Sequence, residues 1–252
     1  MTTWAEQGEL FDQILAPAAV AIVATADLTG TVLDVGCGTG ALLEATVDAG
    51  AKAVGVDISP EMLRVAERRV PQAITVLGDG QTTDLSQYVG AGFDRLVSRF
   101  GVMFFADPTA AFANLRRFAA PSATMTFVCW RDDQPNLMFT LGTRILAPNP
   151  PPSGVPGPMA FADADLLRGY LSDAGWHDIV IDRFEFVSTY GTPDGHGTTT
   201  DGIEERLSVI GATGNTDVDD ETLARMRADI ATSMVDGVVA HPNYCWLVTA
   251  RA

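Results

Sequence analysis

The sequence predicts an α/β fold with a mostly parallel sheet and helices on both faces. Two observations carry this. Strand-length apolar segments alternate with helix-length amphipathic ones from about residue 31 to residue 130, and that alternation buries a parallel sheet between helical layers. The run Val32-Leu33-Asp34-Val35 also breaks into Gly36-Cys37-Gly38-Thr39-Gly40, and a second apolar run, Val54-Gly55-Val56, then ends at Asp57. A buried strand, a tight turn, a helix and a second strand satisfy that spacing as a βαβ unit.

Taken in order, residues 3–27 read as one or two helices whose apolar faces come from Trp4, Phe11, Ile14, Leu15 and the Ala-Val run at 18–24. Strands are expected near 31–35, 52–57, 73–77, 93–98, 122–130, 178–187 and 243–250. Helices are expected near 40–49, 60–70, 107–119, 136–147, 163–174, 203–211 and 219–236. Ser59-Pro60-Glu61 is a helix start. Asp163 and Gly175 stand where an N-cap and a terminating glycine belong. Leu223, Met226, Ile230 and Met234 recur at helical spacing and carry the last helix to 236. Prolines between 147 and 158 exclude a helix or central strand there, leaving a stiff loop over a site or a plain connector. Residues 191–202 read as a loop. The chain is expected to be one domain over 1–252, with N-terminal helices at 1–30 and a core at 31–135. Insertions at 136–175 and 191–240 would form a small helical and loop lid.

Charge narrows the partners. The formal net charge is −16 and Lys52 is the only lysine. No basic run exists to neutralise phosphates or to meet an acidic bilayer, so nucleic acid and membrane are not expected as partners. Strong acidity also serves solubility without further function. Cys37, Cys129 and Cys245 lack metal-ligand spacing, so no metal site and a reducing, cytoplasmic setting are expected. No leader pattern or apolar run of membrane-spanning length is evident.

A loop without side chains lets a ligand approach the backbone, and the Asp57 carboxylate can accept both hydroxyls of a ribose. This is the pattern of a nucleoside cofactor. Gly36-Cys37-Gly38-Thr39-Gly40-Ala41 also fits the dinucleotide fingerprint, so an NAD-dependent oxidoreductase is one reading. Three details move away from it. Gly40 adds a third glycine at alternate spacing. Asp34 puts a negative charge at the cradle, which repels a pyrophosphate and attracts an ammonium group. With Lys52 the only lysine, no Tyr-x-x-x-Lys pair exists.

An acid followed by G-x-G-x-G resembles the first motif of the class I S-adenosylmethionine-dependent methyltransferases. The resemblance continues through Leu77-Gly78-Asp79-Gly80 and Phe93-Asp94-Arg95-Leu96-Val97-Ser98-Arg99, then Phe100 to Asp107 and Phe127-Val128-Cys129-Trp130-Arg131. These stretches are similar to a bacterial branch near the quinone-biosynthesis enzymes. The resemblance implies a Rossmann-like fold with a seven-stranded sheet whose last strand is antiparallel. It implies S-adenosylmethionine as cofactor and S-adenosylhomocysteine as product. Asp34, Gly36, Gly38 and Gly40 would hold the methionine end, with Cys37 a spacer. Asp57, with Ile58 and Met62, would take the ribose side, and Asp79 with Gly80 the adenine amino group. Ser98, Arg99 and Phe100 would line the reaction site.

Methyl transfer needs a general base only if the acceptor holds its proton. His177 and His196 read as surface residues, which leaves His241 as the candidate. Arg99 and Arg131 can pair with an anionic substrate or with an acid such as Asp132 or Asp133. Phe100, Met103, Phe104, Phe105, Trp130, Met138, Phe139, Met159 and Phe161 suggest a small aromatic or hydrophobic acceptor. A monomer or homodimer is expected. An alternative keeps the cofactor but not the transfer, as a binding regulator or with another reaction in the same pocket.

Overall fold

The first described elements are α1 (Gly8–Ile14) and α2 (Ala16–Ala26), after which strand and helix alternate as the apolar pattern requires. β1 (Thr31–Val35), α3 (Ala41–Asp48), β2 (Lys52–Asp57), α4 (Pro60–Arg69), β3 (Ile74–Leu77), β4 (Phe93–Arg99), α5 (Pro108–Arg117) and β5 (Ala119–Trp130) follow in turn. The later elements are α6 (Leu137–Thr140), α7 (Ala164–Asp173), β6 (His177–Tyr190), α8 (Gly202–Ala212), α9 (Asp220–Ala231), β7 (Met234–Val235) and β8 (Val238–Arg251). This computed structural model describes residues 7–144, 146, 154–191, 201–212 and 218–252. Trp4, His196, residues 147–153 of the proline-rich stretch and most of the 191–202 loop lie outside them.

The sheet runs β3-β2-β1-β4-β5-β8-β6, with β7 paired to β8 as a short eighth strand. β1 lies parallel to both β2 and β4, β2 to β3, and β4 to β5. β8 is antiparallel to β5, from Thr124 opposite Arg251 to Trp130 opposite Cys245. The expected mostly parallel sheet with its last strand antiparallel is therefore present, with β7 as an added short strand. Leu33, Val54, Leu96, Phe127 and Val128 are fully buried, as strands covered on both faces require.

Two compact units divide the described chain. One holds residues 18–133, 154–184 and 245–252; the other holds 7–17, 134–144, 146, 185–191, 201–212 and 218–244. The boundary between them falls within residues 136–175. In the larger unit α7 follows the Asp163 cap, whose carboxylate accepts the Asp165 and Leu166 N–H groups. Phe161 meets Phe112 of α5 at 5.8 Å between ring centroids. The indole N–H of Trp176 donates to the Phe112 carbonyl at 3.0 Å.

Three expected elements differ. The helix expected at 136–147 is reduced to one turn, α6, and Gly142 just beyond it takes a left-handed φ of 85°. The last helix stops at Ala231, and Met234, expected on its apolar face, lies in β7. Asp236 and Gly237, at φ 50° and 82°, turn β7 back onto β8. Positive φ at both central residues is what a tight hairpin with the native twist demands, and Asp-Gly supplies it. That local signal outweighs one more residue of helical periodicity. β8 consequently starts at Val238, so His241 lies within the strand rather than before it.

One glycine shapes the core below the first loop. A Cβ on Gly55 would lie 2.7 Å from Cys37 Sγ and 2.9 Å from Leu43 Cδ1. Cys37 thus points into a cluster with Leu43, Ala53, Leu63, Ala66 and Val70. Gly55→Ala should cost about 1–3 kcal/mol through overpacking, read by urea denaturation. Adding Cys37→Ala should return part of that loss, because the two sites share one volume.

Candidate functional site

Where β1 ends, Gly36 and Cys37 both donate their N–H groups to the Val56 carbonyl of β2, at 2.9 and 3.2 Å. Gly36 adopts φ 69°, and a Cβ there would sit 2.7 Å from the Cα of Gly101. A Cβ on Gly101 would lie 2.4 Å from the Val35 carbonyl oxygen. The turns after β1 and β4 therefore touch backbone to backbone. Ser98 fastens the contact, donating its hydroxyl to Val35 O at 2.7 Å and accepting from Gly101 N at 3.1 Å. The Ser98 side chain is thus engaged below the cradle. Gly38, by contrast, has open space where a Cβ would go. Gly40, at φ 90°, opens α3.

Cys37 does not face this opening. Its thiol is buried in the cluster below, and burial pushes its pKa far up, so the side chain is inert and only its backbone belongs to the loop. Asp57 closes the loop from the β2 side. One carboxylate oxygen accepts the Gly38 N–H at 2.8 Å and the other accepts the Ser59 N–H at 2.8 Å. The helix cap on α4 is the Ser59 hydroxyl, which takes the Met62 N–H at 3.2 Å. A carboxylate has about four acceptor positions, so Asp57 keeps capacity for a ligand's hydroxyls. Beside it Ile58 is 70% exposed, an apolar side chain presented to solvent.

Asp34 is the least ordinary group. Its side chain is 2% exposed, and one carboxylate oxygen is buried with no hydrogen-bond partner. Burial raises its pKa from 3.8 to about 7; Arg99 pulls it down and Asp57 pushes it up. An orphaned buried carboxylate is costly unless a cation or donor meets it. That fits the ammonium group of a cofactor and opposes a phosphate.

Asp79 follows β3. Its carboxylate accepts the Gln81 backbone N–H at 2.9 Å and the Gln81 amide at 2.9 and 3.2 Å. Gly80 is buried, and its carbonyl accepts from Asn114 of α5 at 3.2 Å. Phe100 holds a left-handed φ of 63°, a conformation costing about 1–2 kcal/mol for a side chain of that bulk. Its ring stacks on Trp130 at 4.4 Å and 13°. Arg131 is fully buried, ion-paired to Asp133 and placed over the Trp246 ring at 5.6 Å. Asp133 also meets Arg183 at 2.7 Å. Pairing with an acid is thus the role the structure gives Arg131.

Residues 33–127 match the family described as a methyltransferase domain. A demethylmenaquinone methyltransferase of Paenarthrobacter aurescens is 29% identical over 161 residues, 59% of this chain and 62% of that protein's length. The match therefore spans less than two thirds of the relative. A candidate methyltransferase of Bacillus halodurans superposes with a TM-score of 0.59 at 17% identity, over 94% of this chain and 97% of that one. Phosphoethanolamine N-methyltransferase 2 of Haemonchus contortus, solved with S-adenosylmethionine, gives 0.54 at 16% identity, over 93% of this chain and 51% of that one. Residues 33–127 are thus similar to a methyltransferase domain, and the fold is that of the solved methyltransferases.

Within this domain the structure gathers Asp34, Gly36, Gly38, Asp57, Ser98 and Arg99 around the ends of β1, β2 and β4. Gln81 and Asn114 lie in no sequence motif named above, and Gly101 lies there only inside the stretch from Phe100 to Asp107. Gly101 is legible in principle as a glycine two residues past a strand, but its need arises from Gly36 across the fold. His241 belongs to the smaller unit. It is 1% exposed, with Nε2 3.3 Å from the Tyr190 hydroxyl. Burial, aided by Arg206, lowers its pKa to about 4. Arg206 is itself buried, donating to the carbonyls of Leu141 and Met138 at 3.0 and 2.7 Å. At neutral pH His241 is an uncharged hydrogen-bonding residue and a weak base. No metal-binding group of His, Cys, Asp or Glu occurs among the described residues.

The Asp34 shift has a signed consequence. Between about pH 4 and pH 7 the unfolded chain has released this proton while the folded chain keeps it, so stability falls as pH rises through that window and levels above it. Relative to Asp34→Asn, the ligand-free protein should lose on the order of a few kcal/mol from pH 4 to pH 7.5. Urea denaturation of both chains across that range checks this; parallel curves would remove the buried-carboxylate assignment.

Proposed function

We propose that the protein transfers a methyl group from S-adenosylmethionine to a small, neutral or apolar acceptor. The observation that carries the reading is the unpartnered, buried Asp34 oxygen beside a loop left open at Gly38. Asp34 would neutralise the methionine ammonium, and the backbone of the Gly36–Gly40 loop would receive the chain of that amino acid. Asp57 would take the ribose hydroxyls on its remaining lone pairs, with Met62 on the adjoining turn of α4. Asp79 would accept from the adenine amino group next to Gly80, and exposed Ile58 would be covered by the base. When bound, the cofactor supplies a methyl group already activated by its sulfonium charge.

The chain itself then has to orient and exclude water. Orientation of reacting groups can lower a barrier by roughly 7–11 kcal/mol, and a dry site favours loss of the sulfonium charge. Arg99, held near Asp34 by charge, would balance that carboxylate rather than move a proton. His241, with a pKa of about 4, is poorly matched to deprotonating a hydroxyl at neutral pH. We therefore assign it a hydrogen-bonding role within its own unit, and read the acceptor as one that needs no strong base. The phenyl rings of Phe100 and Phe105 and the Phe104 ring, which is 55% exposed, favour an aromatic or apolar acceptor. The strongly acidic surface and three unpaired, buried thiols favour a cytoplasmic enzyme working without nucleic acid or membrane.

Calorimetry with S-adenosylhomocysteine, with NADH in a parallel titration, should give micromolar binding of the first and none of the second. Asp57→Ala should weaken S-adenosylhomocysteine at least about tenfold while the thermal midpoint shows the chain still folded. A gain of one methylene unit in an acceptor, read by mass spectrometry, separates transfer from binding alone. NADH binding would overturn the assignment.

A further inference from the structure

The loop after β3 contains a side chain that joins two parts of the site. Gln81 donates its amide N–H to both Asp79 oxygens, at 2.9 and 3.2 Å. Its amide oxygen accepts the backbone N–H groups of Ala106 and Asp107, at 2.7 and 3.0 Å. Only this orientation of the amide satisfies every partner, since Asp79 offers lone pairs and the two backbone groups offer protons. Asp107 is the N-cap of α5, accepting from Ala110 at 3.0 Å. Just before it, Phe104 is exposed and Phe105 is buried edge-on against Phe112 at 5.7 Å. Phe105 also borders Gly80, whose Cβ would lie 3.6 Å from its ring.

With its backbone and side chain together, Gln81 occupies most of the acceptor positions of Asp79. A carboxylate held by three such contacts cannot rotate freely, and little capacity remains on it. What remains is acceptor-only, so it suits a donor and repels a carbonyl. We propose that Gln81 is a positioning residue that sets the base specificity of the nucleoside site. It aims the residual lone pair of Asp79 at an exocyclic amino group and ties that reading to the segment carrying Phe104 and Phe105. This rests on the cofactor assignment made above for Asp79.

The two arms of the amide can be cut separately. Gln81→Glu keeps an oxygen for Ala106 and Asp107 but replaces the donor to Asp79 with a like charge. Gln81→Met removes both arms. The probes are S-adenosylhomocysteine and S-inosylhomocysteine, which differ at the base by an amino group against a carbonyl. The wild-type protein should prefer the adenosyl compound by at least about tenfold, because the inosyl carbonyl would face the carboxylate. Both variants should bind S-adenosylhomocysteine about three- to tenfold more weakly and bring the ratio of the two affinities towards unity. Gln81→Glu should keep a thermal midpoint near wild type, which separates loss of discrimination from loss of fold. An unchanged ratio in both variants would overturn the proposal, even with a lowered midpoint, since a purely structural role moves the midpoint alone. A wild-type protein that binds neither compound would instead overturn the cofactor reading, and this inference with it.

Discussion

The site depends on a backbone contact between the turns that follow β1 and β4. Gly36 and Gly101 approach so closely that neither can carry a side chain, and Ser98 stitches the contact with one donated and one accepted hydrogen bond. Everything nearby inherits its position from this junction. The glycine loop leaves β1 at an angle set by it. Phe100 is driven into a left-handed conformation immediately before it and is held there by stacking on Trp130. Because the contact is between main chains, no rotamer change can relieve a substitution.

Around that junction the acidic side chains are arranged by degree of satisfaction. Asp57 spends one lone pair of each oxygen on backbone N–H groups, which braces the loop and leaves acceptors over. Asp79 is more fully committed, with three contacts to Gln81. Asp34 is buried and has an oxygen with no partner. In a folded interior the last condition is unfavourable by itself, and it becomes favourable when a cation arrives. On charge alone, such a buried carboxylate favours an ammonium over a phosphate.

The smaller unit handles its buried charge differently. Arg206 is surrounded by main-chain carbonyls and by the Tyr190 ring, 5.7 Å from its guanidinium, while His241 stays neutral beside Tyr190. Polar groups there satisfy one another. Asn243 is the exception: its amide nitrogen donates to Ser188 at 2.8 Å, but its buried oxygen has no partner.

Local order was legible in the sequence. Alternating apolar runs located the parallel strands to within three residues at either end, because a strand buried on both faces leaves a continuous apolar signature. Caps at Ser59 and Asp163 were equally readable, since capping is a contact between neighbours in the chain. The acid and glycine spacing from Asp34 to Asp57, together with Asp79, was enough to suggest a cofactor class. Helical spacing misled at Met234, where an Asp-Gly turn two residues on took the chain into a hairpin. Only the tertiary structure decided that Gly55 makes room for Cys37, that Gly101 must yield to Gly36, that Gln81 grips Asp79, and that His241 is buried and neutral. Each of these depends on what lies across the fold. Periodicity reports which face a residue presents, whereas the partner it meets there is set by how distant segments come together.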